Sequence, residues 1–177
     1  STYVGEVSHF SFWNCDVPSN FVQVTMTLVD PDGEPVAFTY VTITDAATGV
    51  TTYGYTDSSG FVGGGVPNNA SLTLNVLGYN GCNTPIYTQT FSTGSTNVAL
   101  GTITIPNSPT TSAHVSGTVT DCVGAPVTNG YIIMEKNGQY YRYTVDNTGA
   151  FGFTSYLCNG PVSAIFIAED IANAVQS

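Results

Sequence analysis

Leu28-Val29-Asp30-Pro31-Asp32-Gly33-Glu34-Pro35-Val36 returns 91 residues later as Val119-Thr120-Asp121-Cys122-Val123-Gly124-Ala125-Pro126-Val127. Asp, Gly, Pro and Val recur in place. The same offset lays Tyr40-Val41-Thr42-Ile43-Thr44 on Tyr131-Ile132-Ile133-Met134-Glu135, and an offset of 89 lays Asp57-Ser58-Ser59-Gly60 on Asp146-Asn147-Thr148-Gly149. Self-similarity at a fixed period marks two copies of one structural unit. Between them runs Pro106-Asn107-Ser108-Pro109-Thr110-Thr111-Ser112, a stretch with no apolar period that reads as a linker. The organisation expected is an N-terminal extension over 1–20, a first module over 21–105, a linker over 106–112 and a second module over 113–177.

Within each copy the apolar period is two. Val22, Val24, Met26 and Leu28 alternate with Gln23, Thr25 and Thr27, and Leu72, Leu74 and Val76 alternate with Thr73 and Asn75. Segments of this length bounded by Asp-Gly and Ser-Gly turns predict an all-β chain of two tandem antiparallel β-sandwiches. Only Ala164 to Val175 has any helical composition, and its first half is assigned to a strand.

The pattern of a strand, D-x-x-G-x-P-V, a second strand and then D-x-x-G, preceded by Thr56 in the first copy and followed one or two residues on by Phe, resembles the carboxypeptidase regulatory-like modules, which have a transthyretin-like (prealbumin-like) sandwich. The first copy carries it as Asp30, Gly33, Pro35, Val36, Asp57, Gly60 and Phe61, the second as Asp121, Gly124, Pro126, Val127, Asp146, Gly149 and Phe151. The resemblance implies an Ig-like layered fold and a non-catalytic role as spacer, adhesive or accessory module in secreted or surface proteins, notably of Bacteroidota-like bacteria. Peptidase chemistry in such proteins belongs to a separate domain.

The 177 residues carry 12 Asp and Glu against 2 Lys and Arg, a formal net charge of -10. With Lys136 and Arg142 as the only basic side chains, no basic patch exists for nucleic acid or an anionic membrane surface. Charged residues are 8% of the chain and about one residue in seven is Thr, the uncharged polar surface expected of extracellular material. No apolar run reaches the length of a membrane span. Ser1 is read as the start of a mature, exported chain.

Cys15, Cys82, Cys122 and Cys158 lack metal-ligand spacing, and His9 and His114 stand apart from them, so neither metal nor other cofactor is expected. An even count in an exported chain favours disulfides. At the offset of 91, Cys122 falls on Pro31 and Cys158 on Pro67, so the expected pairs are Cys122–Cys158 and Cys15–Cys82, each worth about 4 kcal/mol on a chain-entropy account. Asp30, Asp32 and Glu34 offer oxygen ligands without calcium-loop spacing and read as a β-turn. No nucleophile-and-base or paired-carboxylate motif is present, which argues against an enzyme. Lys136 beside Glu135 could serve an isopeptide cross-link in the second copy only, since the first copy has no Lys. Tyr53, Tyr55, Tyr140, Tyr141 and Tyr143 could form a sugar-binding platform, and Asn69-Ala70-Ser71 is a formal glycosylation sequon.

The first copy ends in Val98-Ala99-Leu100-Gly101-Thr102-Ile103-Thr104-Ile105, and the offset puts the matching end about 19 residues beyond Ser177. The second sandwich is therefore expected to lack its final strand. Ser1 to Trp13 matches nothing in the second copy, yet alternates like a strand: Val4, Phe10 and Phe12 on one side, Tyr3, Val7 and Trp13 on the other. A spare strand and an incomplete sandwich are complementary parts, and they predict a homopolymer joined by donor-strand exchange. The expected donor residues are Tyr3, Val4, Val7, Phe10, Phe12 and Trp13, and the expected acceptor edge holds Ile165, Ile167 and Ile171. The competing expectation is a carbohydrate- or protein-binding accessory or adhesion module excised from a larger surface protein.

Overall fold

In the computed structural model, which describes residues 20–78, 84–106, 112–136, 138–156, 163–172 and 175–176, every regular element is a strand. No helix among the described residues is long and apolar enough to cross a membrane. β1 (Phe21–Val29) buries Val22, Val24, Met26 and Leu28 and turns Phe21 and Gln23 to solvent, the alternation that its sequence dictates. It is followed by β2 (Tyr40–Asp45), β3 (Thr51–Tyr55), β4 (Phe61–Pro67), β5 (Ser71–Leu77), β6 (Tyr87–Ser92) and β7 (Val98–Thr104). These form two sheets, β4-β1-β7 and β3-β2-β5-β6. Val24, Leu28, Val66, Leu72, Leu74 and Val76 fill the space between them.

One pairing departs from the antiparallel expectation. β4 runs antiparallel to β1, but β7 runs parallel to it, with a bulge between Thr25 and Met26. A hairpin forces antiparallel neighbours, whereas β7 follows β6 from the opposite sheet, so the chain crosses over before pairing and its direction is free.

The second half repeats the order with β8 (Ser112–Thr118), β9 (Gly130–Lys136), β10 (Gln139–Thr144), β11 (Ala150–Tyr156), β12 (Ile165–Asp170) and β13 (Val175–Gln176). Its sheets are β11-β8 and β10-β9-β12-β13, so β8 to β13 take the places of β1 to β6. Among the described residues no strand takes the place of β7.

Four turns share one geometry. Asp30, Asp57, Asp121 and Asp146 each accept the backbone N–H groups two and four residues on, at 2.7–3.0 Å. Three residues after each comes a glycine at positive φ: Gly33 at 88°, Gly60 at 78°, Gly124 at 86° and Gly149 at 77°. The carboxyl group thus satisfies donors that a tight loop would otherwise leave unpaired.

The two halves interlock. Asp30 uses Oδ1 for its own turn, while its Oδ2 accepts a buried hydrogen bond from Thr154 Oγ1 of β11 at 2.6 Å. The Thr154 N–H donates to Pro35 O at 3.0 Å, and Val36 bridges to Thr154 in parallel, so Pro35–Val36 extend the β11-β8 sheet beyond β11. Tyr156, 1% exposed, packs in the first core, its hydroxyl near Ile105 O and Pro106 O at 3.2 and 3.1 Å. In return Ala37 and Phe38 pack with Ile132, Met134, Tyr143 and Phe153 of the second core.

A methyl group on Gly60 would lie 2.3 Å from Leu28 O, whereas one on Gly33 would meet nothing within 4 Å. Gly33→Ala is therefore expected to cost about 1 kcal/mol for its positive φ alone, and Gly60→Ala at least about 2 kcal/mol more, as read from urea unfolding midpoints. Thr154→Val keeps shape but strips Asp30 of its cross-module donor; the expected loss in the same measurement is about 1–3 kcal/mol.

Candidate functional site

The second core is open on one side. Cross-strand pairing of Met134 with Phe166 and of Ile132 with Ala168 places Phe166 and Ala168 on the core face of β12. Phe166 is nevertheless 45% exposed, while Leu74, which holds the same place in the first sandwich by pairing with Ile43, is 0% exposed. On the facing sheet Val115 and Val119 are only half-buried, where their counterparts Val24 and Leu28 are buried. In the first sandwich β6 and β7 close this side. In the second, among the described residues, β13 borders β12 at Glu169 and Asp170 alone and no strand borders the outer edge of β8. The opposite edge, that of β11, is covered by Pro35 and Val36. An apolar groove between β8 and β12 results, whose β8 side is bordered by no strand among the described residues.

Of the expected acceptor residues, Ile165 and Ile167 lie on β12 and Ile171 directly follows it. Ile165 and Ile167 pair with Glu135 and Ile133 and so occupy the outer face of β12, and Ile171 lies beyond the strand, its N–H bonded to Asn129 O at 3.0 Å. Phe166, on the other face of β12, is the residue that looks towards the core. The run Ala164-Ile165-Phe166-Ile167-Ala168 is apolar on both faces, so its sequence carries no alternation to read; the β9 register alone decides, and a shift of one residue exchanges the faces. The donor residues Tyr3, Val4, Val7, Phe10, Phe12 and Trp13 lie outside the described residues, as do Cys15, Cys82 and Cys158. Cys122 is exposed with a free thiol at the tip of the Asp121 turn, so the Cys122–Cys158 bridge expected from the repeat is not formed here.

The tyrosines separate into two groups. Tyr53 and Tyr55, 46% and 56% exposed, gather around Tyr40 on the outer face of the first sandwich, with ring centroids 5.8 and 5.0 Å from the Tyr40 ring. Tyr141 and Tyr143 instead enter the second core, where both contact Phe38 at 5.1 Å and Tyr143 stacks on Phe153 at 3.6 Å. Tyr140 stands alone at 72% exposure. Phe38 adopts a positive φ of 50° to make this contact, a strained backbone held by the aromatic packing around it.

Both basic residues are engaged. Arg142 lies 3.5 Å from the centroid of the Tyr131 ring, and the Tyr131 hydroxyl donates to Glu169. Lys136 points into the second core at the end of β9, 3% exposed, and burial lowers its ammonium pKa to about 8. Glu135 faces the other way and accepts the Gly138 N–H at 2.9 Å. Among the described residues no group of His, Cys, Asp and Glu is arranged to hold a metal ion.

No family model matches the sequence, and no curated protein matches it. Similar solved structures include the Bacillus anthracis TIE protein, at 14% identity and a TM-score of 0.40, over 85% of this chain and 31% of that one. The shaft pilin spaA from Lactobacillus rhamnosus GG is similar at 12% identity and a TM-score of 0.35, over 85% of this chain and 86% of that one. A Streptococcal ancillary pilin is similar at 13% identity and a TM-score of 0.35, over 88% and 61%. This chain thus spans under a third of the length of the first. At such identities and TM-scores neither activity nor partner passes from these proteins to this one.

Burial sets the pH response. Burial pushes the Tyr156 phenol up to about 12, with the Asp30 carboxyl adding to the shift, and burial raises Tyr143 as well. The unfolded chain releases these protons near pH 10 while the folded one retains them, so stability falls from about pH 10 towards 12. Lys136 acts in the opposite sense: between about pH 8 and 10.5 the unfolded chain holds a proton that the folded one has shed, so stability rises with pH there. Urea midpoints measured from pH 7 to 12 are expected to rise and then fall, Lys136→Met flattening the rise and Tyr156→Phe the fall.

Proposed function

We propose that this chain is a non-enzymatic extracellular structural protein, the subunit of a surface fibre assembled head to tail by donor-strand complementation. The observation that carries the reading is the core-facing Phe166, 45% exposed in a groove whose counterpart is closed by two strands. An open apolar groove with free strand edges is an aggregation liability unless a strand fills it. The chain carries a spare alternating segment in residues 1–13, and a segment that enters the groove of a neighbouring copy makes a heterologous contact that propagates into a filament. Burying apolar side chains at about 1.5–3 kcal/mol each gives a large gross gain before ordering costs. The low charge and Thr-rich surface suit an extracellular place, and the reading needs neither cofactor nor membrane span.

A second reading rests on the exposed cluster of Tyr40, Tyr53 and Tyr55, which offers ring faces to a sugar on the outer sheet of the first sandwich. In that case the chain is a carbohydrate- or protein-binding adhesion module. Electron microscopy of the native material without reductant separates the two. Continuous fibres are expected, and deletion of residues 1–13 is expected to abolish them while leaving a folded monomer. Discrete particles from the full chain would overturn the fibre reading and direct attention to glycan binding by the tyrosine face.

A further inference from the structure

The first sandwich contains a template for the strand that has no counterpart among the described residues of the second. β7 lies parallel to β1 with Val24 opposite Val98, Thr25 opposite Ala99, and then, after a bulge that leaves Leu100 over, Met26 opposite Gly101 and Leu28 opposite Ile103. Gly101 has a φ of 72°, the left-handed conformation that a bulge of this kind needs. The bulge shifts the side-chain parity, so Leu100 and Ile103, three residues apart, both reach the core.

The same pattern stands in the N-terminal segment. Leu100-Gly101-Thr102-Ile103-Thr104 is matched by Val4-Gly5-Glu6-Val7-Ser8, with apolar, Gly, polar, apolar and hydroxyl residues in the same order. A straight strand would put Val4 and Val7 on opposite faces; a bulge at Gly5 puts both on one. We infer that residues 2–8 of one copy bind the outer edge of β8 in another, which no strand borders among the described residues, parallel to it and with a bulge at Gly5, as β7 binds β1. The inference rests on the fibre reading and deepens it by naming edge, direction and register.

Carried over by the offset of 91, the register sets Val7 opposite Val119, Gly5 opposite Gly117 and Tyr3 opposite Ser116. Val4 and Val7 then cover the half-buried Val115 and Val119. β12 is the poorer acceptor, because β13 already occupies part of its edge.

Fibres of the full chain carrying Val7→Cys with Val119→Cys are to be oxidised and the cross-linked peptides identified by mass spectrometry. The expected product is a disulfide between residue 7 of one subunit and residue 119 of the next. The pairs Val7→Cys with Val115→Cys, which tests the antiparallel direction, and Val7→Cys with Phe166→Cys, which tests β12, are expected to give none. A cross-link in either of these pairs, or a 7–119 link within one chain, overturns the inference while leaving the fibre reading intact. Absence of fibres from the unaltered chain overturns both. Gly5→Val is expected to slow fibre growth by on the order of tenfold, from the cost of a left-handed β-branched residue. Gly5→Asn, which tolerates that conformation, is expected to restore it. Equal growth of the Gly5→Val chain also overturns the inference.

Discussion

The carboxyl group of Asp30 is asked to do two things at once, and the arrangement of both sandwiches follows from it. One oxygen closes the turn after β1 by accepting two backbone N–H groups; the other accepts the Thr154 hydroxyl across the module boundary. Asp30 is 2% exposed, so each donor replaces water that the group has lost, and an unmet oxygen there would be costly. That bond fixes Pro35 and Val36 beside β11, and with them the exchange of Tyr156 for Ala37 and Phe38 between the two cores. Asp121, the copy of Asp30, closes its turn in the same way, but its turn carries the exposed Cys122.

This interlock also decides which surface is left open. A sheet of two strands has two edges, and the first module occupies the one along β11. The other edge, along β8, faces the same side as the sparsely paired edge of β12, so the exposed groove has a defined lip and direction. Had the modules been joined by a loose linker, both edges of β8-β11 would be open and an incoming strand would have no unique place. For the fibre proposed above, the seated first module would confine assembly to one geometry, as a head-to-tail contact that repeats along a filament requires.

Much of this was legible in the residues, and the illegible parts share one cause. The alternation of Val22, Val24, Met26 and Leu28 and the Asp-x-x-Gly turns are legible because period and turn chemistry are local. The tyrosines were readable only in part: alternation says that neighbours diverge, but not that Tyr141 and Tyr143 meet Phe38 from the other module. The residues of β12 do not by themselves set Phe166 apart from Ile165 and Ile167, since an unbroken apolar run has no face of its own.

The sequence by itself determined that the described residues form strands and where their turns fall, because these depend on residues within a few positions of one another, and that one pattern is written twice, because the same local signals return at a fixed offset. Only the tertiary structure decided that β7 runs parallel to β1, that Asp30 reaches Thr154 across 124 positions, and which face of β12 looks inward. Those outcomes depend on which strands come to lie side by side, and hydrogen-bonded register between distant segments is a property of the packed chain that no local run of residues encodes.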